Sequence, residues 1–520
     1  MRFIIKKWIQ NNMKNYEIEI NGRTIKNIQY FKLTEEICSI PAFKAIIRNI
    51  DEDLFNMITK EIELKSTDST IFKGKIYETN NKSELTTIKA FPDNKRYDLV
   101  PQYKVIGEGT ELKSTHQLIS QVEPFNNMKT EKLETQNYFL LQFNETDFMF
   151  IVRLAETEKM GVFCSAISEQ ISISECKANK IVKIEFKDIV QNSEELSIKT
   201  GAALHSYNSW NTCTGKIEVK PKISEPDDTT QLLNNINQTS KHIAGECCYQ
   251  HYSECNNKSE QLLADKDSNA TLSSFIQWEG LLKNHGISIG DAIRFPVGHK
   301  IKEDMYVYHK ELIYNDNKIF TKVKCAVLTG SLPEHIIKAK KDFRQFTIAG
   351  QVICVTDPKK QARVKVSLPF HKREGNDTKQ YDGVWCKVPQ KYGGISQIPK
   401  KYGDFIIPKI YDIVYVQLNS EISHPLVLGT INRENSIPEY IKNPEKDMAI
   451  IYTKSGFRFI VNENENNECI VSLCLEKDGL VYGLIKISEN GIEISAKDEI
   501  LINGATTISG SLNVKKRKEK

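Results

Sequence analysis

Five side chains of the kinds that bind zinc lie close together near the middle of the sequence. They are two histidines and three cysteines within fourteen residues: His242, Cys247, Cys248, His251 and Cys255. On a helix, Cys247, His251 and Cys255 would share one face and could present three ligands. Structural zinc usually takes four ligands from a tight Cys-x-x-Cys bend, and the sequence contains no such pair. We therefore prefer a helix with buried thiols and predict no metal site.

Two carboxylates and one arginine form a second candidate group, on a segment whose apolar spacing predicts a helix over Glu145–Glu158. Glu145, Asp147 and Arg153 could in principle perform general acid–base chemistry. The structural interpretation is that Thr146 or Asp147 caps the helix and that Arg153 forms an ion pair. We prefer the structural interpretation, so no catalytic residue is predicted here.

Signatures of common enzymes are missing from the rest of the sequence. There is no Gly-x-Ser-x-Gly, His-Glu-x-x-His or Walker loop, and Gly107-Glu-Gly109 is a turn without a third glycine. The sequence therefore predicts a protein that is not an enzyme and that needs no cofactor. An unrecognised enzymatic activity remains an alternative.

The charge balance bears on nucleic-acid binding. The chain has 71 Lys and Arg residues against 67 Asp and Glu residues, a net charge of only +4. A dedicated nucleic-acid binder normally carries a clear basic excess, so we expect no nucleic acid as partner. Single-strand binding by a basic and aromatic barrel face, around Lys359–Lys360 and Lys387, is kept as the alternative function.

The elements that position these residues are mostly strands. At 520 residues the chain is long enough for two to four domains. Up to about residue 230 it alternates apolar and polar residues in short runs, and Asn21-Gly22 predicts a hairpin. A helix is expected from Gln231 to about Cys255 and a polar loop from Ser253 to Asn269. Five strands between Phe346 and Ile431, separated by Gly- and Pro-marked turns, suit an OB-type barrel.

Isoleucines recur in pairs near the end of the chain. The pairs are spaced at seven to eight residues and are followed by a single isoleucine: Ile485, Ile487, Ile492, Ile494, Ile500, Ile502 and Ile508. Each pair is expected on a short strand, and the near-octad repeat is typical of a β-solenoid. One such segment cannot bury both of its faces alone. The repeat therefore predicts an oligomer.

Three stretches, in this order, resemble the VgrG spike family of type VI secretion systems and the related hub and spike proteins of contractile phage tails. The first is Leu141–Glu156, here named the hub motif, and the second is the predicted barrel, in which Tyr411 stands where the family pattern has glycine. The third is the isoleucine-rich segment. The matching positions are, in the hub motif, Gln142, Glu145, Asp147, Phe150, Arg153 and Leu154, and in the barrel, Asp357, Pro358, Trp385, Pro408, Pro425 and Gly429.

The resemblance implies a mechanical role as a homotrimer. Three hub domains would seat on a hexameric tube protein of the Hcp kind, and three C-terminal segments would interlock through the seven isoleucines. Baseplate proteins, a PAAR-like tip protein and effectors are expected partners, with transient contact to the target membrane. A type VI spike, a phage tail hub and a free injection particle all fit this resemblance.

The expected fold is mainly β with some α: a hub domain of β-barrel-like subdomains, an OB-fold barrel and an intertwined trimeric β-helix. The expected boundaries are an N-terminal extension at 1–13, hub domain 14–345, OB domain 346–434, linker 435–447, needle 448–514 and basic tail 515–520. Met13 is an alternative start to Met1, and the first residues lack the apolar run of a signal peptide. We expect assembly in the cytoplasm, followed by translocation into the target cell without a signal peptide.

Overall fold

The computed structural model describes residues 16–25, 27–48, 54–66, 69–131, 133–196, 205–211, 216–224, 235–236, 238, 249–253, 257–283, 286–315, 318–327, 329, 331, 336, 345–370, 383–390, 393–395, 401–403, 406–419, 425–431, 447–452, 457–463, 469–477, 480–511 and 513. The chain divides into two compact units, Met1–Ile431 and Asn432–Lys520. The predicted extension at 1–13 and tail at 515–520 lie outside the described residues, as does most of the predicted linker.

The described part of the first unit is built mainly from strands, with several helices. The strands before the barrel are β1 (Glu17–Ile20), β2 (Arg23–Ile25), β3 (Ile28–Glu36), β4 (Ala42–Arg48), β5 (Glu61–Ser66), β6 (Ser69–Lys82), β7 (Leu85–Phe91), β8 (Gln102–Ile106), β9 (Lys113–Ser114), β10 (Lys129–Thr130), β11 (Gln136–Asn137), β12 (Leu140–Glu145), β13 (Gly161–Cys164), β14 (Ile171–Ser174), β15 (Ile181–Lys183), β16 (Ile189–Leu196), β17 (His205–Asn211), β18 (Lys216–Ser224), β19 (Tyr249–Ser253), β20 (Ile276–Lys283), β21 (Ala292–Arg294), β22 (Met305–Asn315) and β23 (Lys318–Val327). The described helices are α1 (Leu54–Met57), α2 (Thr115–Ile119), α3 (Asp147–Thr157) and α4 (Asn257–Ser274).

Thirteen of these strands form one large sheet. Its order is β16-β20-β23-β22-β3-β4-β7-β6-β5-β1-β2, with β15 and β21 attached beside β22. The neighbours are antiparallel except for β15 and β21, which run parallel. The Asn21-Gly22 turn joins β1 to β2 as predicted, with both residues at positive φ.

Alternation along the strands explains which face is buried. In β4 the buried residues are Phe43, Ala45 and Ile47, and in β20 every second residue from Ile276 to Leu282 is buried. The period of two places these side chains on one face of the sheet, where they join two hydrophobic cores. A third core, here named the hub core, surrounds helix α3.

Two sequence predictions around residue 250 are wrong. Tyr249–Ser253 is strand β19, which pairs in parallel with β17, rather than the end of a helix. The supposed polar loop after it contains the long helix α4. This helix buries polar side chains such as Asp267 and Thr271, so its sequence has no apolar stripe that would have indicated a helix.

The predicted OB barrel is present at the end of the first unit. Its strands are β24 (Gln345–Cys354), β25 (Val364–Ser367), β26 (Val384–Cys386), β27 (Gly393–Ile395), β28 (Lys401–Gly403), β29 (Ile413–Asn419) and β30 (Leu426–Ile431). Five of them form a sheet in the order β26-β25-β24-β29-β30. A parallel bridge between Lys387 and Leu426 joins the two ends of this sheet, with the Lys387 amide donating to the Pro425 carbonyl at 2.8 Å. The mainly β fold and the OB barrel are thus confirmed.

The second unit is an antiparallel meander. Its strands are β31 (Asp447–Tyr452), β32 (Phe457–Glu463), β33 (Cys469–Lys477), β34 (Leu480–Ser488) and β35 (Gly491–Ala496), paired in sequence order. The strand predicted at Ile500/Ile502 is not observed: the described residues after Ala496 form no strand. Within one chain the isoleucine repeat therefore builds a hairpin and an extended segment, rather than the coils of a solenoid.

Among the described residues, no helix has both the length and the apolar character needed to cross a membrane.

Candidate functional site

The hub motif occupies strand β12, helix α3 and the turn between them. Thr146 is the N-cap of α3, and its hydroxyl accepts a hydrogen bond from the Met149 amide at 3.1 Å. The same hydroxyl donates to an Asp98 carboxylate oxygen at 2.9 Å. The cap satisfies an amide that the helix itself leaves without a partner, which is why the helix begins at Asp147.

Two polar residues of the motif bind each other inside this turn. The Gln142 side chain is fully buried, and its amide nitrogen donates to the Glu145 carbonyl at 3.1 Å and to Asp147 Oδ1 at 2.8 Å. The Lys104 ammonium binds the same Asp147 oxygen at 2.8 Å. Asp147 is thus held by a cation and an amide at once, and it ties β8 and β12 to the start of α3.

Arg153 joins the helix to the strand from the other side. Its guanidinium forms a forked ion pair with the Glu145 carboxylate, at 2.6 and 3.1 Å, and also donates to the Leu141 carbonyl at 2.6 Å. Such a two-point contact fixes direction as well as distance. The charged groups of the motif therefore pair with one another and with the backbone, an arrangement that locks strand to helix.

The apolar residues of the motif fill the hub core. Phe150 is fully buried and packs against Phe125 with tilted rings whose centroids are 5.3 Å apart, and the Arg153 guanidinium lies over the Phe150 ring. Leu154 is buried in the same core. All six motif residues predicted from the sequence are brought together within one strand–turn–helix unit.

A pair of reciprocal ion pairs joins α3 to α4, and sequence reasoning missed it. Lys159 binds Asp267 at 2.9 Å, and Glu158 binds Lys266 at 3.4 Å. Glu158 is almost completely buried and also accepts the Thr135 amide at 2.8 Å. The only sequence signal is the reversed order of charge in Glu158-Lys159 and Lys266-Asp267. Because these dipeptides lie far apart in the chain, only the fold reveals their pairing.

In the barrel, the Asp357 side chain is buried beneath an otherwise exposed turn. Its carboxylate accepts hydrogen bonds from the amides of Lys359 and Gln361, at 3.0 and 2.8 Å, and from the Arg363 guanidinium at 2.8 Å. Burial alone would raise the pKa of Asp357, but the hydrogen bonds from Arg363 and the backbone outweigh it and lower the pKa to about 2. Pro358 is an exposed residue of the same turn. The Arg363 side chain is completely buried.

The other predicted barrel residues lie on strands and in loops of the barrel. Trp385 is buried on β26 under the Arg363 guanidinium, and Pro408 and Pro425 are buried in loops. Gly429 faces solvent on β30, opposite Tyr415. Tyr411, which replaces the family's glycine, has a φ of +76°, a backbone region that glycine enters without strain.

The C-terminal isoleucines lie on a hairpin and on the extended segment after it. Ile485 pairs with Ile494 and Ile487 with Ile492 across β34 and β35, so the four side chains share one face. All seven isoleucines remain between 41% and 70% exposed. So many exposed β-branched residues close together form an apolar surface that is unusual for a single folded chain.

The group of histidines and cysteines around residue 250 does not lie on one helix. His251 lies on strand β19, and the other four residues of that group lie outside the described residues. In the described part of the chain, no three His, Cys, Asp or Glu side chains are grouped to hold a metal ion.

Comparison with known proteins gives one family match. Residues 348–431 match the family described as the type VI secretion system/phage-baseplate injector OB domain. No curated protein matches the chain.

Solved structures extend the similarity of fold. The c3393 protein of E. coli, described as a type VI secretion component structurally similar to the T4 bacteriophage tail proteins gp27 and gp5, is 8% identical, with a TM-score of 0.50 over 80% of this chain and 99% of that one. The 43 kDa tail protein of prophage MuSo2 from Shewanella oneidensis is 10% identical, with a TM-score of 0.44 over 60% of this chain and 98% of that one. A tail protein from Neisseria meningitidis MC58 is 9% identical, with a TM-score of 0.44 over 62% and 98%.

Of these three structures, the c3393 protein has the highest TM-score and covers the largest share of this chain. The resemblance to VgrG-type spikes found in the sequence is confirmed by the family match and by that structure. Residues 348–431 thus match the OB domain of type VI secretion and phage-baseplate injectors, and the chain has a fold similar to that of a type VI secretion component.

Proposed function

We propose that this chain is the hub and spike subunit of a contractile injection apparatus and that it acts as a homotrimer without enzymatic activity. The exposed isoleucine row of the second unit carries this proposal. The injector OB domain supports it independently. In this role the chain caps the inner tube, and its C-terminal segments form the point that enters the target envelope.

The energetics of the isoleucine row favour association. Burying a half-exposed isoleucine contributes about 1 kcal/mol, because full burial is worth about 1.5–3 kcal/mol. Seven such residues in each of three chains give about 20 kcal/mol. A trimer forms in two association steps, which together cost about 8–30 kcal/mol, so burial of the row would offset a large part of this cost.

The proposed partners follow from this role. The hub domain would seat on a hexameric tube protein of the Hcp kind and contact baseplate proteins, and the C-terminal end would carry a PAAR-like tip protein and effectors. The trimer would assemble in the cytoplasm and be driven through the target membrane by contraction. We propose no binding to nucleic acid.

Analytical ultracentrifugation of the full chain tests the proposal. We expect a trimer that dissociates in the variant Ile487→Asp/Ile494→Asp, because each aspartate would be buried without a partner at the axis. The matched control is Ser495→Asp, which places the same side chain on the other face of β35 and should leave the trimer intact. A monodisperse full-length monomer at micromolar concentration would refute the proposed function.

A further inference from the structure

Strands β8 and β12 form a two-stranded ladder that is buried on both faces. Leu140 pairs with Ile106, and both side chains lie in the hub core. Leu141 pairs with Val105, and both side chains lie in a different core, formed mainly by the barrel strands and named here the barrel core. Because neighbouring residues of a strand point to opposite faces, this ladder is a wall shared by two cores.

Aromatic contacts continue the shared wall at the end of the ladder. Phe143 of β12 stacks on Phe346 of barrel strand β24, with ring centroids 3.6 Å apart. Tyr103 of β8 packs edge-on against Phe143 and lies 6.4 Å from the ring of Phe370. The barrel core thus takes part of its apolar lining from residues more than 200 positions earlier in the sequence.

Buried polar contacts fix the barrel to the loop that follows β8. Arg363, while paired with Asp357, also donates from Nη1 to the Gly109 carbonyl at 2.7 Å. The Trp385 amide donates to the Glu108 carbonyl at 3.0 Å, and Lys365 lies 3.4 Å from the Glu108 carboxylate. One guanidinium therefore connects the Asp357 turn of the barrel with the hub loop, which a lysine could not do because it lacks the rigid fork.

We infer that the hub strands β8 and β12 complete the barrel core, and that Arg363 is the positioning residue that fixes the barrel on the hub. The barrel is then a dependent domain, and hub and barrel move as one piece. This inference does not depend on the proposed function. It also gives a physical reason for the hub motif, whose polar network holds β12 against α3 and so sets the wall on which the barrel is built.

Hydrogen exchange of the full chain, read by mass spectrometry, tests the shared wall. Leu141→Ala should speed exchange of barrel strands β24 and β29 by at least about tenfold, and Leu140→Ala should instead speed exchange of α3. The two leucines are adjacent and similarly buried, so each variant is the control for the other. Unchanged barrel exchange in Leu141→Ala, or equal effects of both variants on the barrel, would overturn the inference.

A zero-length carbodiimide cross-link between Glu108 and Lys365 tests the role of Arg363. The cross-link forms only when the hub loop and the barrel hold these two side chains in contact. Arg363→Lys should lower its yield at least about fivefold. The double variant Arg363→Gln/Asp357→Asn leaves no buried charge unpaired. It should also lower the cross-link yield at least about fivefold, while hydrogen exchange of the amides in the barrel core stays slow. Glu108→Gln, which removes the reacting carboxylate, identifies the product. Full cross-link yield in both Arg363 variants would overturn the positioning role.

Discussion

Replacing Asp357 with asparagine should destabilise the barrel strongly. The substitution keeps the size of the side chain but removes the negative charge that faces Arg363, whose side chain is completely buried. Removing one partner of a buried ion pair typically costs about 3–5 kcal/mol, because the remaining charge is left without compensation. We therefore expect a loss of about 3–5 kcal/mol in the free energy of unfolding of the barrel at neutral pH.

The pH dependence gives a second measure of the same contact. A fall of the Asp357 pKa from 3.8 to about 2 corresponds to about 2 kcal/mol of stability. Because the pKa is lower in the folded state than in the unfolded state, this contribution is complete above about pH 5 and is lost as the pH falls towards 2. The wild-type barrel should show this loss, and Asp357→Asn should lack it.

Urea unfolding followed by tryptophan fluorescence measures both effects. The transition in which the barrel unfolds together with the hub strands that complete its core is identified by the fluorescence change that is lost when the buried Trp385 is replaced by phenylalanine. The matched control is Asp304→Asn, because Asp304 forms a similar forked pair with Arg294, at 2.7 and 2.6 Å, on the surface. That variant should cost less than about 1 kcal/mol. An Asp357→Asn variant no less stable than Asp304→Asn would refute this account of the turn.

Three further predictions concern single contacts. Gly280→Ala should lower the melting temperature by several degrees, because an added Cβ would collide with the Trp278 ring, whereas Gly286→Ala, with open space around it, should not. Lys159→Glu and Asp267→Lys should each lower the stability of the chain to urea. The double variant should be more stable than the sum of the two losses predicts, by about 1 kcal/mol or more. Strictly additive losses would contradict a direct ion pair. Tyr411→Gly should raise the free energy of unfolding of the barrel by about 0.5–1 kcal/mol, because glycine adopts a positive φ without strain. Tyr411→Ala keeps the Cβ and should give no gain in the same urea experiment.

Helix α4 shows why sequence patterns failed in one region. A helix is visible in a sequence when its buried face is apolar, but α4 buries Asp267, Ser268 and Thr271. The Asp267 carboxylate is compensated by an ion pair with Lys159. The hydroxyls of Ser273 and Ser274 bind carbonyls three residues earlier in the chain. Such a polar face gives no apolar stripe in the local sequence, and the partner of Asp267 comes from a distant segment.

Local features of the sequence determined the elements themselves. Alternation predicted the strands, Asn21-Gly22 predicted the first hairpin, and Thr146 was one of the two residues predicted to cap α3. The hub motif and the barrel turn could also be recognised as short patterns. Each of these depends on residues close together in the chain, where backbone geometry alone decides which side chains meet.

Only the tertiary structure shows which segments of the chain pack against these elements. It showed that β12 serves two cores, that Arg363 reaches from the Asp357 turn to Gly109, and that the isoleucine row of a single chain stays half exposed. The physical reason is that burial and ion pairing depend on segments brought together by folding. A strand with apolar residues on both faces has the same sequence pattern whichever segments pack against those faces.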